Sequence, residues 1–268
     1  MPLFHLILVA LIQGLTEFLP VSSSGHLILI PSLTGLEDQG QAIDVAVHLG
    51  TLVAVVLYFW ADVRVGLAGI PRMLTGRIDT PGARLAFLLM IATIPAILFG
   101  LVLKLTGLSD AMRSMTVIGW TMLLFGLLLY VADQRGVTTK TDKDWSLRDA
   151  IQMGLWQAVA LIPGTSRSGI CITAGRMLGY TRHDAAKLAM LMSIPTIFAS
   201  GALLSFEVAA TANAQAARDG AIAAVFAFFA ALVALSLMMR LLRSTSFTPY
   251  VIYRVILGVG LLVLAYGT

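Results

Sequence analysis

The sequence predicts an all-α integral membrane protein with six transmembrane helices and two re-entrant helical hairpins, arranged as an inverted-topology repeat. Three observations predict it. Of the 268 residues, 58% are hydrophobic and only 12% are charged, against about 25% charged in soluble domains. Six apolar segments are long enough, or nearly so, to cross a bilayer as helices of about 20 residues. Two further apolar segments are broken in their middle by polar residues. The composition excludes a disordered chain, most soluble enzymes and a nucleic-acid binder with a solvated basic face. So few charges on a soluble surface would leave large apolar patches in water. The single cysteine, Cys171, excludes an internal disulfide and a multi-cysteine metal site.

Residues 4–33 form the first element. They lack the basic start and small-residue cleavage site of a signal peptide, so they are expected to belong to the fold. Glu17, Pro20, Ser22, Ser23, Ser24, Gly25 and His26 interrupt them, which reads as a helix, a polar break and a second short helix. Broken backbone at membrane depth survives only inside protein or along a watery cavity. The stretch is therefore read as a hairpin that enters and leaves on one side. Spans follow at about 42–60, 84–104 and 116–132. Residues 150–175, interrupted by Pro163, Gly164, Thr165, Ser166, Arg167, Ser168 and Gly169, form the second hairpin. Spans at about 186–205, 221–240 and 249–267 complete the chain. Pro95 and Pro195 lie within spans and mark kinks.

Loop charge orients this arrangement. Arg64, Arg72, Arg77, Arg84, Arg135, Lys140, Lys143, Arg148, Arg176, Arg182, Lys187, Arg240 and Arg243 fall on one face when six spans alternate and the hairpins do not cross. Lys104, Arg113 and Arg218 fall on the other. The positive-inside rule makes the first face cytoplasmic and places both termini outside, on the periplasmic side. Arg167 and Arg254 lie inside apolar segments. Arg254, near the start of the last span, is expected to snorkel or bind lipid.

Aligning Gly25 with Gly169, an offset of 144, also aligns Gln13 with Gln157, Ser22 with Ser166 and Ser24 with Ser168. The chain reads as a single membrane domain, 1–268, with repeat one at 1–132 and repeat two at 150–268. Three spans follow each hairpin, and three is odd, so the second repeat is inverted. Polar hairpin tips meeting near the midplane are the layout of many transporters.

Two constellations carry chemistry. Gln13 and Glu17 are four residues apart and share a helical face. An ionisable residue at membrane depth is costly and marks function. Beside Glu17 stand three serine hydroxyls, Gly25, where backbone can approach a ligand closely, and His26. In the second constellation Arg167, flanked by Ser166, Ser168 and Gly169, suits an oxyanion. Backbone N–H groups of such a turn and the following helix N-terminus add to that. An Arg167–Glu17 ion pair between the hairpins is the structural alternative, and both readings can hold together. Asp44, His48 and Thr51 lie about one turn apart on the first span, where they could face the same centre. His5 and His183 read as terminal or loop-borne, and Cys171 as a small packed residue.

The stretch from Gln13 to His26 and the run Pro163 to Gly169 together resemble the two signatures of the bacterial undecaprenyl-diphosphate phosphatase family, also called the bacitracin-resistance family. The resemblance covers the chain in length, span count and motif order. It implies hydrolysis of undecaprenyl diphosphate to undecaprenyl phosphate and phosphate, recycling a cell-wall carrier lipid. It also implies the bacterial inner membrane, a site open to the periplasm, a divalent cation (Mg2+ or Ca2+), and often a homodimer. By motif position the catalytic residues are Glu17, Ser23, His26 and Arg167. Gln13, Ser22, Ser24, Gly164, Thr165, Ser166, Ser168 and Gly169 line the substrate, and Glu17 and Gln13 hold the metal. Gln13 stands where the family has Glu or Gln, which leaves one carboxylate. Cys171 stands where the second signature has threonine. The chemistry expected is attack by Ser23, with Glu17 or His26 taking its proton and Arg167 stabilising charge on phosphorus. The rival reading from another class is a lipid-phosphate flippase with the same central site. A histidine-nucleophile membrane phosphatase is disfavoured, because Thr173 occupies the position where its second histidine would fall.

Overall fold

The computed structural model describes residues 1–35, 39–108, 112–209 and 214–267. Eleven α-helices occur among them: α1 Leu3–Glu17, α2 Ser23–Thr34, α3 Gly40–Tyr58, α4 Trp60–Leu74, α5 Pro81–Thr106, α6 Met115–Arg135, α7 Leu147–Val159, α8 Arg167–Met177, α9 Arg182–Ala209, α10 Ala214–Leu241 and α11 Thr248–Gly267. Six of these, α3, α5, α6, α9, α10 and α11, are long and apolar enough to cross a membrane. They coincide with the six expected spans. Their outer faces expose large apolar side chains such as Leu98, Leu105, Leu124, Phe229, Ile256 and Val263. That arrangement suits a hydrocarbon solvent and no aqueous one.

One helix was not expected. Residues 61–84 read as loop, and Trp60–Leu74 form α4. Asp62 in its first turn and Arg72 in its last complement the helix dipole. Arg72 then closes the following loop with two bonds to Asp79, at 2.6 and 2.7 Å. Three charges in fifteen residues hide this helix from any search for spans.

Small residues let the helices approach closely, the usual device where lipid removes the hydrophobic driving force. A Cβ at Gly14 would strike Ala227 and Ala230 of α10, and one at Gly154 would strike Ala92 of α5. A Cβ at Gly50 would fall on the Ala224 carbonyl, which locks α3 against α10. At the centre sits α8, buried from Ser168 to Arg176.

The two broken segments end alike. α1 stops at Glu17 and α2 starts at Ser23; α7 stops at Val159 and α8 starts at Arg167. The N-cap residues Ser22 (φ 72°) and Ser166 (φ 69°) are the two non-glycine residues with positive φ among those described. Each N-cap hydroxyl lies beside the hydroxyl two residues on: Ser22 to Ser24 at 3.1 Å, Ser166 to Ser168 at 3.2 Å. The equivalent residues are 144 apart. The loops on either side of α7 and α8 touch each other. Lys140 N–H donates to the Gly179 carbonyl at 2.9 Å, and Thr181 N–H donates to the Lys140 carbonyl at 3.0 Å. The start of α1 lies at the N-terminal end of α10, where the Met1 ammonium is 3.2 Å from Asp219.

Candidate active site

The last turn of α1 supplies Gln13 and Glu17, four residues apart on one face, and the first residues of α2 and α8 supply Ser23 and Arg167. Two helix N-termini thus open onto one carboxylate, and both favour negative charge in front of them. Glu17 is 9% exposed and fully engaged. Its Oε1 accepts from Arg167 Nη2 at 2.6 Å. Its Oε2 accepts from Ser23 Oγ at 3.0 Å and from Gln13 Nε2 at 2.8 Å. The ion pair joins the two breaks directly.

Seven buried side-chain polar atoms lack a hydrogen-bond partner among the described residues, and three of them cluster in the motifs: Gln13 Oε1, Thr165 Oγ1 and Arg167 Nη1. Buried polar groups are nearly always satisfied within the fold or by something that binds. Arg167 therefore holds Glu17 with one arm and presents the other unpartnered.

The second break is fixed by residues outside both motifs. Thr121 Oγ1 donates to the Pro163 carbonyl at 2.6 Å. Arg254 Nη2 donates to the carbonyls of Gly164 (3.1 Å) and Thr165 (2.9 Å), and its Nε to that of Met122 (3.3 Å). Arg254 is wholly buried. It neither snorkels nor faces lipid, which corrects the expectation from sequence: the carbonyls freed by the chain break solvate it inside the protein. Gly164, at φ +87°, has no room for a Cβ beside Thr121, and a Cβ at Gly169 would press on Arg254 Nη1. Both glycines are needed where the loop meets its supports. Ser168 Oγ donates to the Leu19 carbonyl at 2.8 Å, and Gly164 N–H points at Ser24 Oγ at 3.4 Å. Ser166 caps α8 through Gly169 N–H at 3.2 Å. The serines flanking Arg167 and Ser23 thus tie the two breaks together.

His26 turns elsewhere. Its Nδ1–H donates to the Ser22 carbonyl at 2.7 Å, which leaves Nε2 to accept from Tyr253 O–H at 2.6 Å. The two rings stack 3° from parallel. His48 does reach the site. Its Nδ1–H donates to the Asp44 carbonyl at 2.7 Å, and its Nε2 is 3.1 Å from Gln13 Nε2 and 3.9 Å from Glu17 Oε2. Asp44 accepts from Gln39, and Thr51 bonds the His48 carbonyl. Gln157, the repeat partner of Gln13, instead donates to the Ala92 carbonyl at 3.2 Å. Cys171 is buried, as expected, and His5 is also buried, in α1. Sequence reading missed Tyr253 and the role of Arg254. Their polarity beside an apolar run was the one signal available.

The model of the family described as bacitracin resistance protein BacA matches residues 6–260. The chain belongs to the BacA family. It is similar to a protein of Ruegeria pomeroyi (75% identical) and to one of Jannaschia sp. (73%), each over the full length of both chains. A Rhodospirillum rubrum protein is 47% identical over 99% of this chain and 96% of its own. All three carry names of undecaprenyl-diphosphatases. In this BacA-family chain, every residue that sequence reading assigned to catalysis lies in or beside the two breaks, with Glu17, Ser23 and Arg167 in one hydrogen-bonded group.

Proposed function

We propose that this chain hydrolyses undecaprenyl diphosphate to undecaprenyl phosphate and phosphate. The names of the full-length relatives support the substrate, and they lend nothing to the flippase reading. The observation that carries the chemistry is a carboxylate, Glu17, that accepts both the Ser23 hydroxyl and Arg167 Nη2, with Arg167 Nη1 buried and unpartnered.

Ser23 Oγ attacks the terminal phosphorus, and Glu17 Oε2 takes its proton across the existing 3.0 Å bond. The new Oγ–P bond forms as the P–O bond to undecaprenyl phosphate breaks. Glu17 passes that proton to the oxygen of the departing undecaprenyl phosphate; water then attacks the phosphoserine, Glu17 takes the water proton, and it returns that proton to Ser23 Oγ as the Oγ–P bond breaks and phosphate leaves. Arg167 Nη1 and the first N–H groups of α2 and α8 meet the charge that builds on the phosphoryl oxygens. His26, its ring fixed by Tyr253, anchors the Ser22 carbonyl and so the strained turn that presents Ser23.

The donor set fits a divalent cation. Gln13 Oε1 is a buried acceptor without a partner, and Glu17 adds a carboxylate. Mg2+ commonly uses one or two carboxylates with substrate phosphates. Gln13 and the substrate phosphates would hold it, Glu17 serving as a ligand only when it is not the base for Ser23, and when bound it would supply charge neutralisation for the diphosphate.

We read α1–α2 and α7–α8 as re-entrant hairpins of an inverted repeat, in the inner membrane with the site facing the periplasm. The contact between the loops flanking α7 and α8 supports one-sided entry, as does Met1 at the N-terminal end of α10. The matching φ values and serine pairs 144 residues apart support the repeat. The family resemblance implies that such chains often pair as homodimers. Phosphate release from undecaprenyl diphosphate by the protein in detergent tests the function. Movement of intact lipid without release would overturn it.

A further inference from the structure

We propose that the chain holds an anionic glycerophospholipid at a second site, where α4, α5 and α9 meet the turn at 142–145. This site shares no lining residue with the two breaks, and the inference is independent of which lipid is hydrolysed.

The head-group end is a cavity of about 770 Å3. Trp145 lines it, is 3% exposed, and has no hydrogen-bond partner for its Nε1. An indole N–H can only donate, and buried donors are nearly always satisfied by the fold or by something that binds. A tryptophan that merely anchors a helix at the membrane interface turns its ring to the lipid, whereas this one is enclosed.

Charge on the rim selects an anion. The three carboxylates of the lining are already partnered: Lys187 holds Asp62 and Asp142, each at 2.7 Å, and Arg72 holds Asp79 at 2.6 Å. Arg84 and Lys143 line the same cavity and enter no ion pair among the described residues. With Arg72 counted, the rim keeps a net positive charge. Arg84 Nη2 donates to the Trp145 carbonyl at 3.0 Å, which ties the two residues together. Thr80 and Pro81 also line the cavity, so the positive end of the α5 dipole opens onto it.

An apolar groove continues from this cavity. Asp62, Leu85 and Leu191 line both the cavity and a space of about 580 Å3 between α3, α4, α5 and α9. Along α5 the groove runs from Leu85 to Ile97, about 18 Å at 1.5 Å per residue. That is about one leaflet of a ~30 Å hydrocarbon core. A basic cavity joined to a groove one leaflet long fits a phosphodiester head group with one acyl chain. A free phosphate would leave the groove empty, and a prenyl tail longer than a leaflet would overrun it. The site lies at the end of the molecule richest in basic loop residues, where anionic lipid gathers.

Native mass spectrometry of the full chain in detergent tests this, with phosphatidylglycerol and phosphatidylcholine of identical acyl chains as probes. Wild type should bind one phosphatidylglycerol about tenfold or more tighter than phosphatidylcholine. Trp145→Phe and Lys143→Gln should each weaken phosphatidylglycerol by about fivefold or more. Gly66→Leu should weaken both lipids. Gly66 lines the groove, and a Cβ there meets Leu85 at an ordinary 3.7 Å, so the larger side chain fills the acyl space without a clash. Thermal midpoints show that each variant folds, and Lys143, at an exposed position, keeps the test open if a buried variant does not. Equal binding of the two lipids, wild-type preference in the folded Trp145→Phe and Lys143→Gln variants, or displacement of the lipid by glycerol 1-phosphate alone would each overturn the proposal. So would a tighter hold on undecaprenyl phosphate that the same substitutions abolish. Lipid held only at Arg167 would be insensitive to all three substitutions.

Discussion

Arg167 Nη2 donates to Glu17 Oε1 at 2.6 Å, across 150 residues of sequence. This pair fixes the start of α8 against the end of α1, and the same carboxylate accepts the Ser23 hydroxyl on its other oxygen while Arg167 Nη1 stays without a partner.

Breaking that pair should harm both folding and turnover, in separable ways. Removing one partner of a buried ion pair costs about 3–5 kcal/mol, because the other charge is stranded. Arg167→Met should therefore lower the thermal midpoint sharply. The double variant Arg167→Met/Glu17→Gln should recover much of the midpoint but no phosphate release. Differential scanning fluorimetry beside a phosphate assay reads both.

Ser23→Ala should behave in the opposite way. The hydroxyl donates one bond to Glu17, which keeps its bonds from Arg167 and Gln13. The midpoint should move little, while phosphate release falls by a factor on the order of 10³ or more, as for loss of a nucleophile that acts with its base. Wild-type turnover in Ser23→Ala would remove Ser23 from that role.

Arg254→Met keeps the volume and removes the donors to Gly164, Thr165 and Met122. Each buried carbonyl left unpaired costs about 1–3 kcal/mol. We expect a lower midpoint and a fall in kcat larger than the change in KM, because the loop carrying Arg167 loses its support. An unchanged kcat would show that the loop holds itself.

Cys171 is the sole cysteine and is buried, so single exposed cysteines can report topology. Arg77→Cys and Ser244→Cys should react with a membrane-impermeant maleimide only from the cytoplasmic side. Gly35→Cys and Leu108→Cys should react only from the periplasmic side. Labelling of Gly35→Cys from the cytoplasm would mean that α1–α2 crosses the membrane.

Sequence made the six spans legible because length and hydropathy are local properties. The breaks were legible too: Pro20 with three serines, and Pro163 with two glycines, cannot continue an apolar helix. α4 was not, since Asp62, Arg64 and Arg72 make a short amphipathic helix look like a charged loop. Within the site, Gln13, Glu17, Ser23 and Arg167 carried their own signal as polar groups at membrane depth. Arg254 carried the same signal and was misread, because its solvation comes from carbonyls some 90 and 132 residues away. Tyr253 and the approach of His48 to Gln13 are likewise products of helix packing, which no spacing rule encodes.

The most direct test of the account is phosphate release from undecaprenyl diphosphate by purified wild type, Glu17→Ala and Arg167→Ala, each shown to be folded. The account predicts release by wild type and a loss of at least about 10²-fold in each variant. Release at the wild-type rate by either folded variant would contradict it.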